Sequence, residues 1–213
     1  MLNLLYKELR LAAHPTLFIF AFLGVLVIVP AYPYGMVFMF GCLGVFNTFF
    51  YGRETNDIFY SALLPIPKRD VVKGKLLMIV SVQLAQMLIS LPLAFWRVSL
   101  LPQGNPAGIE ANVAYYGFGF VIYAIFNFLF LTSFFKSGYK AGNAFLLASI
   151  PAVLVLAAME VLVHFPAFAW LDSVAPADLV RQLPILVIGV VVYIAALLAA
   201  YRISVRRFQR VDL

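Results

Sequence analysis

The sequence predicts an all-α polytopic membrane protein, and its composition is the first reason. Of the 213 residues, 64% are hydrophobic and 11% are charged, whereas soluble domains have roughly 45–50% apolar and about 25% charged residues. Mean hydropathy is +1.00. The apolar residues extend along almost the whole chain, so no separate soluble domain large enough for an ATPase or a kinase is left. These observations exclude a soluble globular domain, a disordered chain and a fibrous protein.

Charge-free stretches are the second reason, because a bilayer core requires about 20 apolar helical residues. The first stretch, 11–52, is long enough for two spans, and Pro30 and Pro33 supply the turn between them, since proline ends a helix. The sequence therefore predicts one transmembrane domain, 1–213, with six spans. Their expected ranges are 15–31, 34–51, 73–96, 113–135, 141–163 and 184–203.

The distribution of basic residues predicts the orientation through the positive-inside rule. With the N terminus in the cytosol, 13 of the 15 Lys and Arg residues fall on cytosolic segments, and only Arg97 and Arg181 fall outside. Six spans then place both termini in the cytosol. We therefore expect a multi-pass membrane protein.

Three further segments are expected outside the spans. Residues 1–14 form an amphipathic interfacial helix, which either only anchors the first span or also contacts a partner. Residues 53–67 form a cytosolic loop with a short helix over 55–64. Residues 164–183 lie on the outer side, where prolines divide them into short pieces that dip back into the membrane as re-entrant helices.

The cytosolic helix at 55–64 has the strongest pattern among these segments. Thr55, Asn56 and Asp57 are all residue types that cap helix N termini. An apolar stripe follows at helical spacing, and its members are Ile58, Phe59, Ala62 and Leu63. No cytosolic domain of this chain can cover that stripe. The helix therefore lies on the bilayer or docks into another protein, and the residues alone favour neither.

Motifs for enzymatic chemistry are absent from the sequence. The segment Lys73-Gly74-Lys75 lacks the upstream glycine of a phosphate-binding loop. The two histidines, His14 and His164, fall on opposite faces of the membrane, and the single cysteine permits no internal disulfide. We therefore expect no catalytic residue, metal site or cofactor in this chain, and no nucleic-acid partner.

Polar residues inside the spans permit two interpretations. They either bond neighbouring helices together or line a transport pathway; the candidates for pathway lining are Asn47, Gln83, Gln86 and Asn127. Glu160, near the outer end of the fifth span, is the one ionisable candidate for a functional role. A charge at that depth is costly, so an ionisable residue there indicates function.

A resemblance to a known family enters at the cytosolic loop. Glu54 precedes the short helix, Leu63-Leu64-Pro65-Ile66-Pro67-Lys68-Arg69 follows it, and Gly74-Lys75 leads into the third span. This order resembles the type-2 permease subunits of ATP-binding-cassette (ABC) exporters, and Leu5-Tyr6-Lys7-Glu8-Leu9-Arg10 is similar to their opening helix. The small size is most like the permeases that export amphipathic peptides, including the phenol-soluble modulin exporters. Pro67 departs from the family's turn, which usually has serine or threonine.

The resemblance implies a division of labour between subunits. Two permease copies, in a homodimer, would form the pathway for an amphipathic peptide, while two separate ATPase copies would bind ATP and Mg. Residues implied to dock the ATPase are Glu54, Thr55, Asn56, Asp57, Ile58, Phe59, Ala62 and Leu63. Residues implied at the outer gate are Glu160, Trp170, Asp172 and Asp178. The competing class is a stand-alone secondary transporter or a membrane enzyme.

Overall fold

The computed structural model describes residues 2–63, 66–100, 104–137 and 140–211, except for the side chains of Leu2 and Ala62. These residues form helices and no strand. In chain order the helices are α1 (Leu2–Lys7) with a π-helical continuation (Glu8–Ala12), α2 (Pro15–Phe22) with a 3₁₀ continuation (Leu23–Ile28), α3 (Met36–Glu54), α4 (Asp57–Leu63), α5 (Lys68–Leu100), α6 (Val113–Phe134), α7 (Ala141–Leu162), a 3₁₀ helix (Pro166–Leu171) and α8 (Pro176–Phe208).

Apolar length identifies the membrane-crossing helices among the described residues. Helices α5, α6, α7 and α8 are long and apolar enough to cross, and a fifth crossing is added if Asn3–Ala12 and Pro15–Ile28 count as one bent pair. Helix α3, the predicted second span, has 19 residues but ends in the polar pair Arg53-Glu54, which lowers its hydropathy. The protein is therefore a polytopic helical membrane protein, and the count of six remains a prediction.

The chain turns sharply between α1 and α2. The two segments meet at 96°, and His14 caps the second one by accepting a hydrogen bond from the Thr16 N–H at 3.3 Å. Pro15 occupies the first turn of α2, where its missing N–H costs nothing. A perpendicular pair of this kind fits an interfacial helix followed by a span.

The predicted pair of short re-entrant helices at 164–183 differs from the structure. One short 3₁₀ helix is present at Pro166–Leu171, but residues 176–183 are the first turns of α8. Pro176 stands in the first turn of α8 and starts it, and Pro184 lies within the continuous helix. A proline in the first turn does not interrupt a helix, because the first four N–H groups have no partner within the helix. Pro184, the ninth residue of α8, removes the helical hydrogen bond to the Val180 carbonyl, yet the helix continues through it.

Helix α6 lies at the centre of the bundle and packs most extensively against α8 and α7. Glycines permit this approach: a Cβ at Gly117 would lie 2.8 Å from the backbone oxygen of Ile185 on α8, and one at Gly189 would collide with the backbone of Gly117. Small residues that bring backbones together are the usual means of helix association in membranes. The α6–α8 pair therefore forms a tight unit.

Candidate functional site

Helix α4 is held against α5 and the N-terminal helix by a buried cluster of charges. The ammonium group of Lys75, on α5, lies 2.8 Å from the Glu8 carboxylate and also pairs with Asp57 on α4. Lys7 completes the cluster, with its Nζ atom 3.1 Å from Asp57 and 2.6 Å from the Ser61 hydroxyl. Two acidic and two basic side chains therefore join three separate elements. We call Lys7, Glu8, Asp57 and Lys75 the inner charge cluster.

Burial strengthens the attraction between the opposite charges of the inner charge cluster. Glu8 and Lys75 are almost fully buried, and the ring of Phe49 lies 5.6 Å from the Lys75 ammonium. Burial acts to raise the pKa of Asp57, but the Lys75 and Lys7 ammonium groups outweigh it and lower that pKa below its ordinary value. Asp57 is therefore ionised at neutral pH and serves as the anchor of α4.

The opposite face of α4 is exposed and apolar. The exposed fraction is 45% for Phe59, 63% for Tyr60 and 67% for Leu63. The neighbouring turn is also accessible, with Glu54, Thr55 and Asn56 exposed. Asn56 has a left-handed backbone, with φ of 54°, which asparagine tolerates better than most residues. The structure thus presents one apolar patch, which we define as Phe59, Tyr60 and Leu63 and call the α4 patch.

Two members of the predicted docking set face the other way. Asp57 belongs to the inner charge cluster, and Ile58 is only 7% exposed and packs in the core. Helical geometry is the reason, since consecutive residues point about 100° apart and cannot all lie on one face. The sequence missed Tyr60. The side chain of Ala62 and the predicted helix end at residue 64 lie outside the described part.

The predicted pathway residues at mid-membrane are buried within a single copy of the chain. Gln83 and Asn127 form a reciprocal amide pair, with hydrogen bonds of 3.0 and 2.7 Å. The Tyr193 hydroxyl donates to the Gln83 carbonyl oxygen at 3.0 Å. These groups bond α5, α6 and α8 to one another within one copy of the chain. A pathway role for Gln83 and Asn127 stays a prediction.

Gln86 and Asn47 likewise bond to neighbouring helices. The Gln86 amide donates to the carbonyls of Phe20 and Val37, each at 2.9 Å, and its oxygen accepts from Tyr123. Phe20 lies where α2 changes into its 3₁₀ continuation, a point at which a carbonyl loses its α-helical partner. The amide of Asn47 contacts the Thr16 hydroxyl at 3.3 Å. A pathway role for Gln86 and for the half-buried Asn47 likewise stays a prediction.

One buried polar stripe on α5 links the two ends of the protein. Gln83, Gln86 and Ser90 recur at helical spacing, with Lys75 at the inner end and Arg97 at the outer end, and all five are buried. Sequence analysis treated Arg97 as an outer flanking charge. This spacing could have indicated that Arg97 is buried, because the polar face of a membrane helix points into the protein.

Arg97 is the centre of a second buried charge site, at the opposite end of α5. Its guanidinium pairs with Glu110 and bonds to the Tyr34 hydroxyl, whose ring centroid lies 5.1 Å away. Burial is the main reason that the pKa of Glu110 is raised; Arg97 opposes this effect and Asp172 adds to it. Glu110 was not among the residues predicted from sequence, because its partner lies in a different element.

The predicted gate residues anchor loops instead of forming one group. Glu160 accepts the N–H groups of Gly35 at 3.1 Å and Ile109 at 3.0 Å. Asp172 accepts the Glu110 N–H at 2.7 Å, and burial is the main reason that the pKa of Asp172 is raised. A gating role for these two carboxylates stays a prediction.

The other two predicted gate residues lie near the start of α8. Trp170 stacks with Arg181, whose guanidinium carbon is 4.4 Å from the ring centroid. Asp178 lies in the first turn of α8, where a carboxylate suits the positive end of the helix dipole. Their gating role is likewise a prediction.

An apolar cavity of about 310 Å³ opens between α5, α6 and the start of α8. Its walls include Leu91, Phe95, Val113 and Leu179. The polar side chains in the wall include Asn112 and Tyr116, and both already have protein partners, Leu171 and Ser173 for the first and Ser90 for the second. The cavity therefore suits an apolar occupant.

These features define a helical, multi-pass membrane protein that holds a small helix, α4, against its bundle by buried charges. Comparison with protein families then gives the particular assignment. The model of the family described as "ABC-2 family transporter protein" matches residues 3–209, so the chain belongs to that family. It is a permease subunit of an ABC transporter, and the family implies an ABC ATPase as its partner. Subunits of this family are the membrane component of transport and are generally non-catalytic.

No curated protein and no solved structure matches the chain. The family assignment confirms the resemblance at the level of an ABC-2 permease. It does not extend to the peptide-exporter subtype.

Proposed function

We propose that this permease exports amphipathic peptides or other hydrophobic substrates and that α4 is its coupling helix, which docks into the ATPase. The observation that carries the proposal is the two-sided character of α4. One side is tied into the inner charge cluster, and the other presents the α4 patch. A surface helix that is fixed from behind and apolar in front is suited to transmit force from a partner.

The inner charge cluster provides the route by which force enters the bundle. Asp57 on α4 is joined to Lys75 on α5, so a displacement of α4 is passed directly to α5. Lys75 and Arg97 are 22 positions apart on α5, which is a rise of about 33 Å at 1.5 Å per residue. Helix α5 therefore reaches from the cluster to the Glu110 site, and the movement of one end is communicated to the loops at the other end.

The apolar cavity supports the substrate class. Its lining is mostly apolar, and of its polar side chains Ser99, Asn112 and Tyr116 the last two are already bonded within the protein. A strongly polar substrate would lose hydration there and find few new hydrogen bonds, which costs free energy. The peptide class and the outward direction of transport rest additionally on the resemblance described above.

The remaining arrangement follows the same resemblance. Two permease copies pair as a homodimer and each binds one ATPase copy, which holds ATP and Mg. Closure of the ATPase pair drives the α4 helices and alternates the permease between inward-open and outward-open states. Both termini face the cytosol of a bacterial cell, in keeping with the distribution of basic residues.

The test is co-purification of the ATPase with permease variants. Phe59→Ala removes the central aromatic residue of the α4 patch. Phe18→Ala is the matched control, because Phe18 on α2 and Phe59 are both 45% exposed. An aromatic side chain has about 150–250 Å² of surface, so docking of Phe59 buries about 70–110 Å², worth about 2–3 kcal/mol.

That free energy corresponds to a loss of about 30–150-fold in affinity for the ATPase with Phe59→Ala. Phe18→Ala should retain the affinity of the wild type. Equal recovery of ATPase by wild type and Phe59→Ala contradicts the docking role of α4, and it would favour a helix that rests on the bilayer.

A further inference from the structure

One ridge of α8 changes from apolar to basic along its length. Residues four apart form a ridge on a helix surface, and this ridge contains exposed apolar side chains followed by exposed arginines. Its members in order are Ile194, Leu198, Arg202 and Arg206 on α8, and Arg210 in the turn that follows the helix. We call the three arginines the arginine ridge.

The arginine ridge has no acidic counterpart among the described residues. Within those ranges, no ion pair joins Arg202, Arg206 or Arg210 to a carboxylate. Arg207, which lies off the ridge, differs because its Nη1 atom donates to the Thr132 carbonyl at 2.6 Å. Arg207 therefore serves packing, whereas the three ridge arginines form no ion pair within the described part of the chain.

The helix dipole does not account for the position of the ridge. A helix favours cations only within its last turn, and α8 ends at Phe208. Arg202 lies about 9 Å before that end at 1.5 Å per residue. A partner outside the chain is therefore the better explanation for at least the first arginine.

Depth indicates which partner the ridge meets. Leu198 belongs to the apolar span, and Arg202 and Arg206 follow it by about 6 and 12 Å. A bilayer has a hydrocarbon core of about 30 Å within a total thickness of about 40–45 Å, so each headgroup layer is about 5–7 Å deep. The ridge consequently passes from the core through the headgroup layer.

We propose that the arginine ridge binds the headgroups of anionic phospholipids. The planar guanidinium group matches phosphate oxygens in bidentate geometry, and the apolar half of the same ridge lies beside the acyl chains. This inference is independent of ATPase docking, since it requires only that α8 crosses the membrane.

The experiment measures lipid binding to the purified full-length chain in a zwitterionic detergent. Dioleoyl phosphatidylglycerol is titrated against dioleoyl phosphatidylcholine, and bound lipid is counted by native mass spectrometry. Each arginine near a membrane surface contributes about fivefold in affinity. The double variant Arg202→Gln/Arg206→Gln should therefore bind phosphatidylglycerol about 25-fold more weakly than wild type, with phosphatidylcholine binding unchanged.

Two further variants make the result specific. Arg53→Gln/Arg69→Gln removes the same charge from exposed arginines that lie beside Glu54 and Asp70, and it should retain wild-type lipid binding. Arg202→Lys/Arg206→Lys keeps the charge, so it should lose no more than about fivefold in affinity. If Arg202→Gln/Arg206→Gln fails to fold because it lacks positive charge, the lysine variant should still fold.

Three outcomes would overturn the proposal. The first is equal phosphatidylglycerol binding by wild type and Arg202→Gln/Arg206→Gln. The second is an equal loss in the Arg53→Gln/Arg69→Gln control, which would make the effect one of net charge. The third is that Arg202→Gln/Arg206→Gln binds phosphatidylglycerol like wild type but no longer associates with the ATPase when phosphatidylcholine is the only lipid present. That result would make the ridge a protein-docking surface.

Discussion

Removal of the negative charge of Glu8 should destabilise the protein and detach α4. Glu8 and Asp57 balance Lys7 and Lys75 in the inner charge cluster, and the Glu8 side chain is 0% exposed. The variant Glu8→Gln leaves one uncompensated positive charge in this buried place. Breaking a buried ion pair by removing one partner typically costs about 3–5 kcal/mol. For a protein of this size, that corresponds to a fall in Tm of about 6–20 °C.

Glu54→Gln is the matched control for this experiment, because it makes the same chemical change at the surface. The Glu54 side chain is 60% exposed and lies 3.9 Å from Arg53, and such exposed pairs contribute about 0–1 kcal/mol. Thermal unfolding of both variants in detergent, followed by intrinsic fluorescence, should separate them clearly. ATPase recovery should also fall for Glu8→Gln, since α4 loses its support; Glu54→Gln is a control for Tm only, because Glu54 belongs to the predicted docking set.

A double variant tests the electrostatic cause directly. Glu8→Gln combined with Lys75→Met restores charge balance, because Asp57 and Lys7 remain paired at 3.1 Å. Replacing a whole buried pair is often close to neutral in stability, so the double variant should recover much of the lost Tm. The reasoning is refuted if Glu8→Gln costs no more than Glu54→Gln, or if the double variant is less stable than Glu8→Gln.

Three other predictions concern packing, pH and topology. Gly189→Ala should force α8 away from α6 and lower Tm strongly, whereas Gly142→Ala, with no atom near its added Cβ, should be neutral or slightly stabilising; equal effects on Tm would contradict the close α6–α8 contact. Because the pKa of Asp57 is lowered, the contribution of Asp57 to stability is present above about pH 4 and is lost as the pH falls through the folded-state pKa. The Tm of Asp57→Asn should therefore depend less on pH below about pH 4 than the Tm of wild type. Parallel Tm curves for the two proteins would argue against this role of Asp57. Cysteine labelling should reach residues 60 and 138 from the cytosol and residues 100–110 from outside; labelling of the latter from the cytosol only would overturn six spans.

The positions of α6 and α7 could be predicted closely from the sequence. The stretches 113–135 and 141–163 correspond to Val113–Phe134 and Ala141–Leu162, because a charge-free apolar run with charged ends has only one way to satisfy its backbone in a membrane. Helix α5 is longer than the predicted 73–96, since its charged first turns continue the helix beyond the apolar run.

The roles of polar residues could not be predicted in the same way. Spacing placed Gln83 and Gln86 on one face of α5, but whether that face meets a pathway or a neighbouring helix depends on tertiary packing. Asp57 was assigned to the docking surface because its tertiary contacts could not be predicted either. The other acidic and basic members of its cluster, Glu8 and Lys75, lie in other elements, and no local sequence pattern indicates these ion pairs. The α4 patch itself was largely anticipated, because exposed apolar residues on a short capped helix are visible in the sequence.

The 3₁₀ continuation of α2 has a consequence for how the protein fits the thickness of the bilayer. The 14 residues Pro15–Ile28 rise about 24 Å, with 1.5 Å for each α-helical and 2.0 Å for each 3₁₀ residue. A hydrocarbon core is about 30 Å thick, and such a mismatch is met by thinning the lipid or by sinking the adjoining loop.

The loop that follows this short helical segment is hydrogen-bonded to the rest of the protein. The Tyr34 hydroxyl donates to the Val29 carbonyl, Asn105 donates to the Tyr32 carbonyl, and Tyr115 donates to the Tyr34 carbonyl. Backbone carbonyls that are bonded to protein no longer require water. The loop can therefore lie below the headgroup layer, so that the protein meets hydrophobic mismatch with its own side chains and leaves the surrounding lipid at its normal thickness.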